Sequence, residues 1–300
     1  MPTALLDPTL DVVFQVLLAR NQHLLVKLLT AVLRPSSPIA LATVLNPGLP
    51  KAEVDDRGAV LDVRVRLEDG REVNVEMQRN GRPAQRERAL YYWARQYSAL
   101  LVQGDDFEAL VPCVAIWILG YRELPGARFH RTFRVHDVRD QTLFSDALEL
   151  HTVELPKLPG AGDEGEEASL VRWGRFFATR SDAELEGLAM SDPDLRQAKE
   201  ALERLSLDAE VRELARRREI ALDLARISEA AARKEGKAEG RAEGKAEGKA
   251  EAVLDLLADA GVAVSEEHRA RIMGCKDAET LRRWLRRARS ARAIEELFEP

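Results

Sequence analysis

Residues 61–78 read "LDVRVRLEDGREVNVEMQ". Apolar and polar residues alternate on both sides of a turn, which is the pattern of a β-hairpin with one buried face. Val63, Val65 and Leu67 fall on one face of the first strand, and Val73, Val75 and Met77 on one face of the second. Pairing Val65 with Val73 and Val63 with Val75 makes the apolar face continuous. A slip of one residue would turn every valine to the polar side. This register leaves Glu68-Asp69-Gly70 as a three-residue connection, with glycine where a left-handed residue is needed. It also sets Asp62 directly opposite Glu76, with Cβ atoms roughly 5 Å apart. Gln78 follows two residues along the same face.

Two carboxylates at that spacing repel each other unless a cation lies between them. Hard oxygen ligands of this kind suit Mg²⁺. Mg²⁺ held there would activate a water and neutralise charge developing on a phosphate. The alternative is purely structural: Arg64, Arg66 and Glu72 share the face, and the arginines pair with the acids.

Outward from the hairpin, apolar residues recur at helical spacing from Thr9 to Leu33, until Arg34-Pro35 ends the run. Ile39 to Leu45 reads as a short strand closed by Asn46-Pro47-Gly48. The hairpin occupies Ala59 to Leu67 and Arg71 to Met77, and a long helix is predicted over Pro83 to Val102. "VPCVAIWIL" (residues 111–119) is apolar nearly throughout, which suits a central strand buried on both faces. "ARFHRTFRVHD" and "LELHTVELPK" read as two further strands. The whole is an α/β domain ending near Leu158. Helices follow from Leu170 to Leu205, then the repeat "EGKAEGRAEGKAEGKAE". Its glycines each cost about 0.8–1 kcal/mol against alanine in a helix, and its period stacks like charges four residues apart. A marginal solvated helix or a flexible spacer is expected. A small module of about three helices closes the chain.

The bulk numbers narrow the classes. With 300 residues, 45% hydrophobic and 32% charged, the chain has room for one sizeable domain plus extensions. A net charge of −6 excludes a globally basic nucleic-acid binder. Two distant cysteines, Cys113 and Cys275, build neither a disulfide framework nor a thiolate metal site. No apolar run reaches the roughly 18 residues of a membrane span, and "MPTALLDPTLDVVF" does not read as a signal peptide. A cytoplasmic protein without membrane partners is the expectation.

"LD…EDG…NVEMQ", followed by "RALYYWARQYSALL", resembles the PD-(D/E)XK nuclease superfamily, in which an acid on one hairpin strand precedes E-x-K or E-x-Q on the next. More narrowly it resembles the recombination-promoting nuclease (Rpn) and transposase-like branch, as do "DPTLDVVFQVLL", "LNPGLP", "LELHTVELPK" and the EGKA-type repeat. The resemblance covers roughly residues 5 to 160. "SEEHRARIMGC" through "IEELF" resembles a small helical domain of unknown function that trails such proteins.

The resemblance implies an α/β restriction-endonuclease-like core in the order αβββαβ, a mixed central sheet flanked by helices, with an α-helical C-terminal extension. It implies Mg²⁺-dependent hydrolysis of DNA phosphodiesters, with Mn²⁺ expected to substitute. Asp62 and Glu76 would be the metal ligands. Gln78 would hold the catalytic position where many relatives carry lysine, able to orient by hydrogen bonds but not to supply charge. The domain expectation is a nuclease-like core over 1–160, a helical extension over 161–206, a charged spacer over 207–251 and a helical module over 252–300. The competing reading is a non-enzymatic scaffold that keeps the fold and binds DNA or protein.

Other residues fall around this reading. Asp11 would add a further acid, or simply complement a helix dipole at an exposed helix start. Arg82, Arg86, Arg88 and Arg95 are candidate phosphate contacts, and Tyr91, Tyr92, Trp93 and Tyr97 either stack on splayed bases or pack their helix on the sheet. His23, His130, His136 and His151 show no metal-ligand spacing and read as structural, and His268 is expected to be exposed in the terminal module. "LRRWLRRARSAR" (281–292) is a basic amphipathic face. With an acidic chain as a whole, a homodimer pooling two basic patches is the expected way to gather DNA.

Overall fold

The hairpin forms in the register its alternation predicts. In the computed structural model, which describes residues 4–46, 62–81, 83–101, 104, 106–160, 162 and 165–299, Asp62 pairs with Glu76, Val63 with Val75 and Val65 with Val73. Gly70 has φ +88°, the left-handed conformation that the three-residue turn requires. Residues 59–61 of the expected first strand lie outside the described residues.

The elements run α1 (Asp11–Arg20), α2 (Gln22–Leu33), β1 (Ala42–Val44), β2 (Asp62–Leu67), β3 (Glu72–Gln78), α3 (Gln85–Ser98), β4 (Cys113–Leu119), β5 (His130–His136), β6 (Leu143–Glu154), α4 (Ala168–Ala178), α5 (Asp182–Ser191), α6 (Pro193–Leu207), α7 (Ala209–Asp259), α8 (Glu266–Met273), α9 (Ala278–Ala288) and α10 (Glu295–Phe298). The six strands form one mixed sheet in the order β1-β2-β3-β4-β6-β5. β3 is antiparallel to β2 and parallel to β4, and α3 makes the crossover between β3 and β4. β4 is buried along its whole length, as a strand with helices on both faces must be.

The single N-terminal helix expected over Thr9–Leu33 is two. Asn21 leaves helical geometry at φ −128°, and its amide Nδ2 donates to the Leu17 carbonyl (2.7 Å), closing α1. The apolar stripe is continuous across the break because both helices bury into one core. This is also why the pair, bent by 108°, has the composition of a membrane segment; no single helix among the described residues is long and apolar enough to cross a membrane.

The chain divides into two units, Met1–Leu222 and Asp223–Pro300. The first core lies on the valine face of the hairpin. There α1 and α2 meet Val63, Val65, Val73 and Val75, and α4 and α6 add Trp173, Phe176, Phe177 and Leu202. Residues 161–206 therefore share the core of the first unit. The repeat lies within α7, one continuous helix of 51 residues, with its glycines facing open space. The second unit has its own core, built on Val253, Leu257, Ile272, Leu281 and Trp284. The basic stretch over 281–292 buries Leu281, Trp284 and Ala288 there and turns its arginines outward.

Candidate active site

Opposite the valine face, strand register aligns a row of residues across the sheet. Asp62 on β2 pairs with Glu76 on β3, Glu76 with Trp117 on β4, and Trp117 with Thr152 on β6. Adjacent strands lie about 4.8 Å apart, so the row runs straight from the acid pair to the far side of the sheet. Gln78 stands one pleat further along, beside Leu119, and its side-chain amide donates to the Glu76 carboxylate. The Gln78 carbonyl accepts from the Gly120 N–H (2.8 Å), which holds the strand end in place. A Cβ at Gly120 would sit 2.8 Å from the Arg79 carbonyl oxygen, so this close approach requires glycine.

The hairpin arginines answer a different acid. Glu72, at the turn end of the same face and 3% exposed, receives Arg66 (2.7 Å) and Arg64 (3.4 Å). Gln96 of α3 adds a contact at 3.4 Å. Between Glu72 and Glu76 stands Asn74, whose buried Oδ1 has no hydrogen-bond partner among the described residues. Register sets Asp62 opposite Glu76, and carboxylates and an amide are the hard oxygen donors that a divalent cation of the Mg²⁺ type accepts. Among the described residues no three His, Cys, Asp or Glu side chains converge on a metal position; the Asp62 side chain is not among them.

The structure gives Asp11 another partner. Both its oxygens face the guanidinium of Arg218 on α7, at 3.0 Å from Nε, and the arginine is 3% exposed. Asp11 stands in the first turn of α1, part-buried, with its carboxylate engaged by Arg218. A sequence separation of 207 residues hides this contact from any local pattern. Of the candidate phosphate contacts, Arg86 is bound to Glu123 (2.9 Å), Arg88 lies over the Tyr92 ring at 5.5 Å, and Arg95 is exposed. Arg82 lies outside the described residues. Trp93 donates to the Cys113 carbonyl (2.9 Å) and stacks on Tyr97, so these two aromatics hold α3 on the sheet. Tyr91 is exposed.

Two charged clusters lie further along the sheet, one on the face of the row and one on the valine face. Glu154 and Lys157 form a fully buried pair (2.8 Å). Glu154 also accepts the N–H of Glu123 (2.8 Å), and Lys157 donates to the Leu124 carbonyl (2.6 Å). Satisfied on every side, this pair pins the loop after β4 to the end of β6. His130 and His151 are buried head to head, Nε2 to Nδ1 at 2.9 Å, with Glu167 on the outer nitrogen of one (2.9 Å) and Glu149 on that of the other (2.6 Å). Burial holds His130 below the ordinary histidine range. The hydrogen bond from His151, joined by Arg134, pulls Glu149 down to about 2. No spacing in the sequence brings these four together; pairing of β5 with β6 and the approach of Glu167 ahead of α4 do. Burial pushes the Cys113 thiol up to about 12, so it is inert.

A mixed sheet flanked by helices, with an acid on one hairpin strand opposed to E-x-Q on the next, defines a nuclease-fold protein of the PD-(D/E)XK class. The sequence pattern of the PD-(D/E)XK nuclease family transposases matches residues 8–231, and the chain belongs to that family. No curated protein and no solved structure gives a match. The family span includes Arg218, whose pairing with Asp11 joins α7 to the first helix.

Proposed function

We propose that this chain is a Mg²⁺-dependent DNA endonuclease that hydrolyses phosphodiester bonds in the service of recombination or a mobile element. Membership of a nuclease and transposase-like family supports the reaction class and a DNA substrate. The single observation that carries the reading is the opposition of Asp62 and Glu76 with Gln78 two residues on. Asp62 and Glu76 would hold the metal, and Asn74 Oδ1 is an oxygen on their face without a hydrogen-bond partner among the described residues. The ion would supply a water of lowered pKa and positive charge against the phosphate. Gln78 Nε2 donates to Glu76, which leaves its own Oε1 as the acceptor that orients the attacking water. Arg88 and Arg95 are the candidates for phosphate contact on α3.

A glutamine in the position of a charged lysine favours a second reading, a weak or inactive nuclease-fold scaffold that binds DNA or protein. Nicking of supercoiled plasmid separates the two. Under the first reading the full chain nicks with Mg²⁺ or Mn²⁺, EDTA stops it, and Asp62→Ala and Glu76→Ala remove it. A folded protein silent with both metals would establish the scaffold instead.

A further inference from the structure

Residues 280–294 hold six arginines and no acidic residue, in a chain whose net charge is −6. Helix α9 sorts them. Leu281, Trp284 and Ala288 are buried in the core of the second unit and Leu285 packs against it, while Arg282, Arg283, Arg286 and Arg289 are exposed. Arg289, the C-cap, keeps helical backbone (φ −66°, ψ −23°). At about 100° per residue, Arg282, Arg286 and Arg289 fall within about 60° of one another, in a row about 10 Å long with Arg283 beside it. Arg282, Arg286 and Arg289 make no ion pair or side-chain hydrogen bond among the described residues. Arg283 lies in the field of Asp277, which caps α9 at the Thr280 N–H (2.7 Å), and Arg287 donates to the Glu299 carbonyl. Like charges three and four residues apart oppose helix formation. The helix dipole favours cations in the last turn only, which accounts for Arg286 and Arg287 but not for Arg282 and Arg283 in the middle of the helix.

We infer that this arginine face is a docking surface for the phosphate backbone of DNA, additional to the acid pair on the sheet. A guanidinium presents a planar fork that grips a phosphate through two hydrogen bonds. Duplex DNA carries a charge about every 1.7 Å along its axis, so a row about 10 Å long has several phosphates within its length. Other anionic partners fit this face less well. A helix that lies in a membrane surface turns apolar side chains into the lipid, and here Leu281, Trp284 and Ala288 are committed to the core. An acidic protein segment needs apolar or aromatic anchors at the centre of the contact, and α9 exposes no large apolar side chain. A face of charge alone suits a partner that is itself a repeating charge. It also gives an acidic chain a local means of collecting a polyanion. Helix α7 runs from the first unit into the second, so DNA held on α9 is tethered to the chain that carries the acid pair. The inference rests on the nuclease reading for its DNA substrate and adds to it a site that gathers that substrate.

The test is fluorescence anisotropy of the full chain with a labelled DNA duplex, in EDTA, over a series of salt concentrations. Three proteins are compared: the wild type, the triple variant Arg282→Gln, Arg286→Gln, Arg289→Gln, and a control that loses the same charge elsewhere. The control is Arg216→Gln, Arg217→Gln, Arg226→Gln, whose exposed arginines are already paired with Glu213 and Asp223. The α9 variant should bind about tenfold or more weakly at low salt, and the slope of log K against log[salt] should fall by roughly one for each arginine that meets a phosphate. The control should follow the wild type. The α9 substitutions are exposed and unpaired, so the unfolding midpoint should stay within a few degrees. Vesicles of phosphatidylcholine with phosphatidylserine are the second probe, and the wild type should leave them unbound. A wild type that does not bind the duplex, an unchanged slope in the α9 variant, an equal loss in the control, or binding of vesicles in place of the duplex would overturn the inference. If the wild type nicks plasmid and the slope does not change, the nuclease reading stands and the α9 surface falls. If binding depends on the α9 arginines and the wild type does not nick, the surface stands and the nuclease reading falls.

Discussion

Glu72 and Glu76 stand on the same face of the same strand, one turn end and one open end, and have opposite fates. Glu72 is buried under Arg64 and Arg66, with its charge answered from the partner strand. Glu76 is half-buried, opposite a second acid and beside an amide, in a row that leads to Trp117 and Thr152. The same residue type at the same pleat position is thus a fastening in one place and a candidate ligand in the other. The difference comes from what strand pairing sets against each: arginines against Glu72, and aspartate against Glu76. A carboxylate opposed by another carboxylate is costly to keep unless it has work to do.

Substitution can break or sharpen that contrast. The largest effect belongs to the open end. Glu76→Ala should lower metal-dependent nicking by about 10³-fold or more, the scale of losing several kcal/mol of charge stabilisation, while the thermal unfolding midpoint stays within a few degrees. If unfolding moves and nicking does not, the two acids have been assigned the wrong way round. Glu72→Ala should do the reverse. Stranding two half-exposed arginines should cost about 2 kcal/mol of stability, below the 3–5 kcal/mol of a fully buried pair, and nicking per folded molecule should survive; denaturant titration reads the first and plasmid assay the second.

A third acid extends the contrast to pH. The fold favours the charged form of Glu149, so its contribution is complete above the ordinary value of 4.5 and is lost as pH falls through about 2. The fold favours the neutral form of His130, so proton uptake below the ordinary 6.5 also destabilises the native state. Both act in one direction. Unfolding midpoints should fall as the solution is acidified from pH 7, and Glu149→Gln should flatten the limb below pH 4.5 at a cost of about 1–2 kcal/mol at neutral pH. A limb of the same steepness in the variant would place the sensitivity elsewhere. The smallest effect lies away from all three acids. Gly240→Ala, in open space on α7, should stabilise the helix by about 0.8–1 kcal/mol and leave nicking untouched; a change in activity would make the repeat part of the site.

The hairpin was legible because its determinants are local. Alternation chose the faces, a glycine chose the turn, and together they set Asp62 opposite Glu76 with no help from the rest of the molecule. The buried strand over residues 113–119 and the two helical regions were legible for the same reason. The break at Asn21 was not, since the apolar stripe runs through it and only packing of both helices into one core bends the chain there. Nor was the membership of α4 to α6 in the first core, because amphipathic helices do not say in sequence which surface they will cover.

Sequence alone therefore determined the hairpin and the opposition of Asp62 and Glu76, written in residues no more than a hairpin apart, and the family, written in several local motifs in fixed order along the chain. Tertiary structure alone decided the partners: Arg218 for Asp11 and His151 for His130. Those contacts join residues from 21 to 207 positions apart. No local period encodes such distances, and only burial against a shared sheet brings their polar atoms within reach of one another.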